Sequence, residues 1–311
     1  MAEGNDIDGS IPMSSGYDIF LKVAELGSVT RAAAALGYTQ TGASHAIAKL
    51  ERQAGFPLFI RSASGMALTP AGEALLAPMR ELVNAQRSLE QAMGAIRGTV
   101  EGTLRLGSFT SVSTKWLPRI VGEFQRRHPG VEFEIWTGDY DEITTRLEEG
   151  RIDCGFLSLP VSPTLEFRHL YDDPMLAVLA PSHPLAAKGS VTLDEVRAEP
   201  IIMPMRGSDN DIRNVLDLDH HEVTIRYVLN DDLSTLAMVN GGFGVSVMPR
   251  LIVESCGIDL TTRPLRPARH RDIGIATTRG RRPTALTQAF IDFLCGTDGT
   301  PGQSAGTPEV P

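Results

Sequence analysis

Three periods of apolar and polar positions succeed one another along the chain. From residue 16 to about 55 the period is helical. Tyr17, Ile19, Phe20, Val23 and Ala24 share one face of a first helix that ends near Gly27. Ser28 can cap a second helix over 29–36, which Gly37 ends by supplying a left-handed residue. Thr39 can cap a third, running to about Arg52 before Gly55 stops it. There Ala43, Ala46, Ile47 and Leu50 fall at i, i+3, i+4 and i+7, while the other face carries Gln40, Thr41, Ser44, His45 and Lys49. Two helices joined by a Gly-containing turn make a helix-turn-helix. The runs 56–61 and 66–69 then read as two strands about a turn at 62–65, a wing.

The second period is a heptad. Thr69 can cap a helix with Pro70 in its first position and Glu73 in its first turn, running to about Arg97. Leu75, Met79, Leu82, Gln86, Leu89, Met93 and Ile96 are spaced 4, 3, 4, 3, 4, 3, an a/d seam with one polar interruption. Such a seam predicts pairing with a second copy rather than packing on the helix's own domain. Pro78 is expected to bend the helix without interrupting it.

From residue 102 strands and helices alternate. Strands over 103–109, 131–136 and 154–159, with helices over 114–128 and 140–149 between them, predict βαβαβ and a parallel sheet. Further strands are predicted at 166–171, 175–180, 200–204, 223–229, 244–248, 258–263 and 272–277. Helices are predicted at 193–198, 209–216, 233–240 and 284–295. The polar segments 1–14 and 296–311 predict disorder.

Length and charge narrow the function. With 311 residues there is room for about two domains. The net charge of −9 argues against a nucleic-acid coat, but from Arg31 to Arg61 four cations (Arg31, Lys49, Arg52, Arg61) oppose one anion (Glu51), locally +3. That suffices to touch phosphates and is too little for tight binding by one copy, which favours a dimer. Cys154, Cys256 and Cys295 lack metal-ligand spacing, and packing is their expected role. With no secretory signal or membrane-length apolar run, we expect a cytoplasmic protein free of the membrane. The pair His220-His221 lacks partners at metal-ligand spacing, so neither metal nor cofactor is expected.

These residues resemble the LysR-type transcriptional regulators. The likeness runs from Phe20 to Ser28 and through Ala32-Ala33, Leu36-Gly37, Thr39 to Ser44, Ile47 and Leu50-Glu51. It continues through Phe56 to Arg61, Leu68 to Gly72, Leu104 to Ser108, Leu117-Pro118, Phe124, His128-Pro129, Gly150 to Asp153 and Asn240 to Pro249, so that about residues 16–295 are covered. The resemblance implies an all-α winged helix-turn-helix (15–72), a linker helix (70–98) and a C-terminal α/β effector domain (102–295) of two lobes, like a periplasmic binding protein. Lobe one is expected at 102–161 and 266–295, lobe two at 162–265. It further implies homodimers assembling into homotetramers. Two departures weaken the expected phosphate contacts. His45 stands where many members carry Arg, and the wing segment 62–65 lacks extra basic residues.

On double-stranded DNA, the start of a recognition helix reaches base edges and charges further along meet phosphates. Gln40 has the two-pronged amide suited to adenine, and Thr41 can offer its methyl group to thymine. Thr39, Ser44 and His45 are candidates for bases or backbone; Arg31, Lys49 and Arg61 for phosphates. A small-molecule effector is expected where the strands end and the lobes face one another. Ser108, Thr110 and Ser111 follow the first strand there, and Met205, Arg206 and Ser208 follow another, with Asn230 after a third. Arg206 could neutralise a carboxylate, which makes the expected effector anionic. Asp231 and Asp232 are more apt to cap the helix that follows. The competing readings are a transporter's solute-binding protein, which the winged module disfavours, and an enzyme on the same fold, for which no catalytic constellation appears.

Overall fold

The structure, a computed structural model, describes residues 13–62, 65–205 and 209–296. The segments 1–12 and 297–311, for which disorder was expected, lie outside the described residues. Two compact units emerge, one ending at Glu90 and the other starting at Gln91.

The first unit contains α1 (Met13–Leu26), α2 (Val29–Ala35), α3 (Gln40–Ala54), β1 (Phe59–Ser62) and β2 (Gly65–Leu68). The long helix α4 (Pro70–Ile96) starts there and continues into the second unit. Ile19, Phe20 and Val23 of α1, Ala32 and Ala33 of α2 and the stripe Ala43, Ala46, Ile47 and Leu50 of α3 form one core, closed by Leu58 and Phe59. The small residues let three helices approach closely while the larger ones fill the centre. β1 and β2 pair antiparallel as the wing, Phe59 opposite Leu68. Glu51 accepts the backbone N–H groups of Leu58 (2.8 Å) and Phe59 (3.2 Å) and so ties the wing to α3.

The seam of α4 divides. Met79 is buried in the first unit's core and Leu75 packs against it, contrary to a role confined to pairing. Leu82, Leu89, Met93 and Ile96 are exposed. Pro78 sits inside the helix, which continues through it.

In the second unit β3 (Gly102–Ser108), α5 (Thr110–Lys115), α6 (Leu117–Arg127), β4 (Val131–Thr137), α7 (Tyr140–Glu148) and β5 (Cys154–Ser158) make up βαβαβ, with β3 parallel to both β4 and β5. The helix expected over 114–128 is instead two, broken at Trp116. The cause lies in Pro118: it has no N–H to donate to the Thr114 carbonyl, so α5 cannot continue through it, whereas a proline suits the first turn of α6.

Next comes β6 (Leu165–Leu179), one strand where two were expected, and it carries the chain between lobes. Its first half, up to Pro174, pairs with a later strand, β12 (His270–Thr278), and its second half pairs with strands of the other lobe. Leu165 belongs to the core of lobe one, with Phe167, Leu170 and Tyr171 packed on it, whereas Met175 opens the core of lobe two. The first crossing therefore lies at 172–175 rather than 161–162, because extended backbone runs straight through a proline that needs no partner for its missing N–H.

Lobe two adds β7 (Val191–Thr192), α8 (Leu193–Arg197), β8 (Ile201–Pro204), α9 (Asn210–Leu216), β9 (Ile225–Leu229), α10 (Asp232–Asn240), β10 (Ser246–Pro249), α11 (Arg250–Val253) and β11 (Thr261–Arg266). The return crossing leads into β12 (His270–Thr278), which lies antiparallel between β5 and β6 in lobe one, and α12 (Ala285–Leu294) closes the chain. The main sheet runs β4-β3-β5-β12-β6-β11-β7, with β10 also on β6, and β8 and β9 form a separate parallel pair. Trp116, Phe124, Phe156 and Phe290 fill lobe one; Ile201, Met203, Leu236 and Met248 fill lobe two. Cys154 is buried, and burial pushes its thiol upward. Among the described residues no helix is long and apolar enough to cross a membrane.

Candidate functional site

Two places gather the sequence-predicted residues. The first is the outer face of α3. Thr39 is its N-cap, extended in backbone, and its hydroxyl accepts the Gly42 N–H at 3.1 Å. Gly55 ends the helix at φ 82°, a left-handed conformation that costs a residue with a Cβ about 1 kcal/mol or more. With the opposite stripe buried, Gln40, Thr41, Ser44 and His45 stand exposed, spaced to lie on one face, and Lys49 is half-buried further along. Arg31, on α2, is exposed and bonds the Leu26 carbonyl; Arg61, on β1, is exposed at the wing. Arg52, counted above among the local cations, is exposed in the last turn of α3. All these residues lie in the first unit.

The second place is the cleft between the lobes. A cavity of about 100 Å³ is lined by Thr110, Ser111, Tyr140, Asp211, Asp232 and Arg271 among others. A second, of about 330 Å³, is lined by Tyr140, Asp211, Asn210 and the segment 157–162. Thr110 and Ser111 line the first of these. Ser108 does not: it is fully buried behind the cavity wall, bonded to the Phe109 carbonyl at 3.4 Å. Met205 and Asn230 are exposed and line neither cavity. Arg206 and Ser208 lie outside the described residues. Asp231 caps α10, accepting the Ser234 N–H at 2.7 Å, while Asp232 turns to the cavity, where burial raises its carboxyl.

The group that organises the cleft is Arg271, which the sequence reading missed. Its guanidinium donates to Asp173 through Nε (3.0 Å) and Nη2 (2.8 Å), to Ser111 (2.8 Å), to the Tyr140 hydroxyl (3.1 Å) and, weakly, to Asp211 (3.4 Å). Tyr140 of lobe one donates to Asp211 of lobe two at 2.8 Å, and Ser158 donates to the other Asp211 oxygen at 3.2 Å. Both cavities touch Tyr140 and Asp211, so this bond divides the cleft. Burial drives the Tyr140 hydroxyl upward, and Arg271 only partly opposes it, so Tyr140 remains a donor. Burial also raises Asp173 against the pull of Arg271. In the sequence Arg271 is one charge within the polar run Arg269-His270-Arg271-Asp272 at the start of a strand, which does not announce a binding site.

Comparisons with known proteins agree on one family. Residues 16–73 match the model of the bacterial regulatory helix-turn-helix protein, lysR family. Residues 97–296 match that of the LysR substrate binding domain. The chain is 30% identical over 281 residues to the uncharacterised HTH-type transcriptional regulator YvbU of Bacillus subtilis, covering 88% of this chain and 95% of the relative. It is 25% identical over 288 residues to the HTH-type transcriptional activator CmpR of Synechocystis, covering 89% and 93%. Among solved structures, full-length OxyR from Pseudomonas aeruginosa superposes with a TM-score of 0.71 at 22% identity, covering 91% of this chain and 94% of that one.

Proposed function

The chain belongs to the LysR family of transcriptional regulators, ligand-responsive proteins that bind DNA, and from that premise we propose how its own residues do the work. The reading of DNA is assigned to α3. Gln40 and Thr41 reach base edges in the major groove, Thr39 at the cap and Ser44 and His45 one turn along meet bases or backbone, and Arg31, Lys49 and Arg61 meet phosphates. The observation that carries this is the exposed polar face of α3 opposite a fully packed stripe. Few local cations make pairing necessary for affinity, so Leu82, Leu89, Met93 and Ile96 bind a second copy, and dimers assemble into tetramers on dyad-symmetric promoter sites. Met79 and Leu75 support that face from within the module. Such a regulator works in the cytoplasm, and we assign it no catalysis.

The effector is a small molecule in the interlobe cleft, held by Thr110 and Ser111 and by Arg271. An anionic group reaches Arg271 by displacing Asp211, its longest contact at 3.4 Å, which frees the bond from Tyr140 to Asp211 and lets the lobes move. In a binding-site selection, Gln40→Ala is expected to relax discrimination at one base pair by about 1–3 kcal/mol. Unchanged discrimination would remove Gln40 from the base contacts. Retention of a promoter fragment in a gel tests the wider reading, and its failure with the intact chain overturns it.

A further inference from the structure

Asp172 of β6 and Asp272 of β12 are paired directly across the antiparallel ladder. Side chains alternate faces along a strand, so the buried pair Asp173 and Arg271 point inward, while Asp172, His270 and Asp272 emerge on the outer face. A register shift between Ile273 and Gly274 then adds a residue to β6. Tyr171 is opposite Ile273 but His169 is opposite Gly274, so Leu170 is extra. Such a bulge re-aims the side chains beyond it. His169, an odd position, therefore joins Asp172, an even one, at 2.7 Å.

The four side chains form a run. His169 Nε2 lies 2.7 Å from Asp172 Oδ1 and 3.8 Å from Asp272 Oδ1, and His270 Nε2 lies 3.5 Å from that same Asp272 oxygen. The donor atoms of His169, Asp172 and Asp272 all lie within 4.8 Å of one another. A tetrahedral ion with bonds of about 2.0–2.1 Å wants its ligand atoms about 3.4 Å apart, inside the span of these three gaps. Two carboxylates facing each other across neighbouring strands repel. With neutral imidazoles the cluster carries two negative charges that a divalent ion would cancel. Two imidazole nitrogens and two carboxylate oxygens suit zinc and its first-row neighbours better than magnesium or calcium. All four side chains are reachable from solvent, which supplies an entry path.

We propose that His169, Asp172, His270 and Asp272 bind one divalent transition-metal ion of zinc-like preference on the outer face of the hinge, clamping β6 to β12 where the chain passes between lobes. The site is independent of the effector assignment, since it lies on the face opposite Arg271. The test uses the full chain, stripped with a chelator and titrated with Co²⁺ while the visible absorption of a four-coordinate site is followed, then with Zn²⁺ as competitor. The expected result is one Co²⁺ per chain, bleached by Zn²⁺, with affinity lowered about 100-fold or more in Asp272→Ala and in His169→Gln. Unchanged thermal unfolding of the metal-free variants would show that the loss is not misfolding. A second histidine group, Asp217 with His220 and His221, serves as control, and His220→Gln/His221→Gln should bind as the parent does. Absence of the absorption band, equal binding by Asp272→Ala, or loss in the control variant would overturn the proposal.

Discussion

The face of α3 and the hinge of the effector unit are held in place by opposite means. Around α3 the supports are close in sequence. Thr39 caps at Gly42, Glu51 grips the N–H groups of Leu58 and Phe59, and Gly55 ends the helix. Arg271 instead is held by Ser111, Tyr140, Asp173 and Asp211, side chains drawn from four separate segments. Short-range supports are cheap in chain entropy and individually weak. Long-range buried polar networks need every member in place, and losing one leaves charge without water or partner.

The largest expected effect follows directly. Arg271→Met should destabilise the effector unit by about 3–5 kcal/mol, because Asp173 would remain buried without its cation. Urea unfolding of the parent and the variant measures it. Replacing both partners, Arg271→Met with Asp173→Leu, should return most of that loss, since the cost belongs to the stranded charge rather than to the missing attraction. A single variant within about 1 kcal/mol of the parent would mean that water already reaches the pair, and the contrast with α3 would collapse.

On the other side of the comparison, Thr39→Ala removes one cap from a helix with a well-packed inner stripe. The expected loss is about 1 kcal/mol, confined to the unfolding of the first unit, with a small fall in DNA affinity as the first turn frays. A loss as large as that of Arg271→Met would mean that α3 depends on its cap more than on Ala43, Ala46, Ile47 and Leu50.

This contrast also explains what could be read from the amino-acid order. Caps, the stripe of α3, the wing and the βαβαβ run are short-range patterns and were visible as such, although the single helix expected over 114–128 concealed a break at Trp116. Ser108 misled because a hydroxyl after a strand marks the cleft's neighbourhood without saying which way it points. Met79 misled because one residue can satisfy a heptad and a domain core together. The continuity of β6 was hidden because Pro174 looks like a break in a list of residues and is none in an extended chain. Arg271 and the outward cluster of His169, Asp172, His270 and Asp272 were invisible for a stronger reason. Their members lie far apart along the chain, and a bulge at Leu170 changes the parity by which faces are inferred.

The smallest effect sharpens the comparison by its sign. Glu195 sits three residues after the N-cap Thr192 in the reciprocal capping box of α8, and also bonds Lys188. The Lys188 bond first, and the Thr192 N–H second, hold its carboxyl down from the ordinary 4.5 to about 2. A carboxyl depressed by folding stabilises above its unfolded value and gives that stability up as pH falls through the folded one. The contribution of Glu195 should therefore be intact above pH 4.5 and disappear between 4.5 and about 2. Asp173 slopes the other way. Burial raises its carboxyl, so the folded state takes up a proton more readily than the unfolded chain, and that uptake favours folding as pH falls. Melting temperatures followed downward from pH 4.5 separate the two. Glu195→Gln should flatten part of the acid loss, and an unaltered profile would show that the capping box of α8 contributes nothing to it.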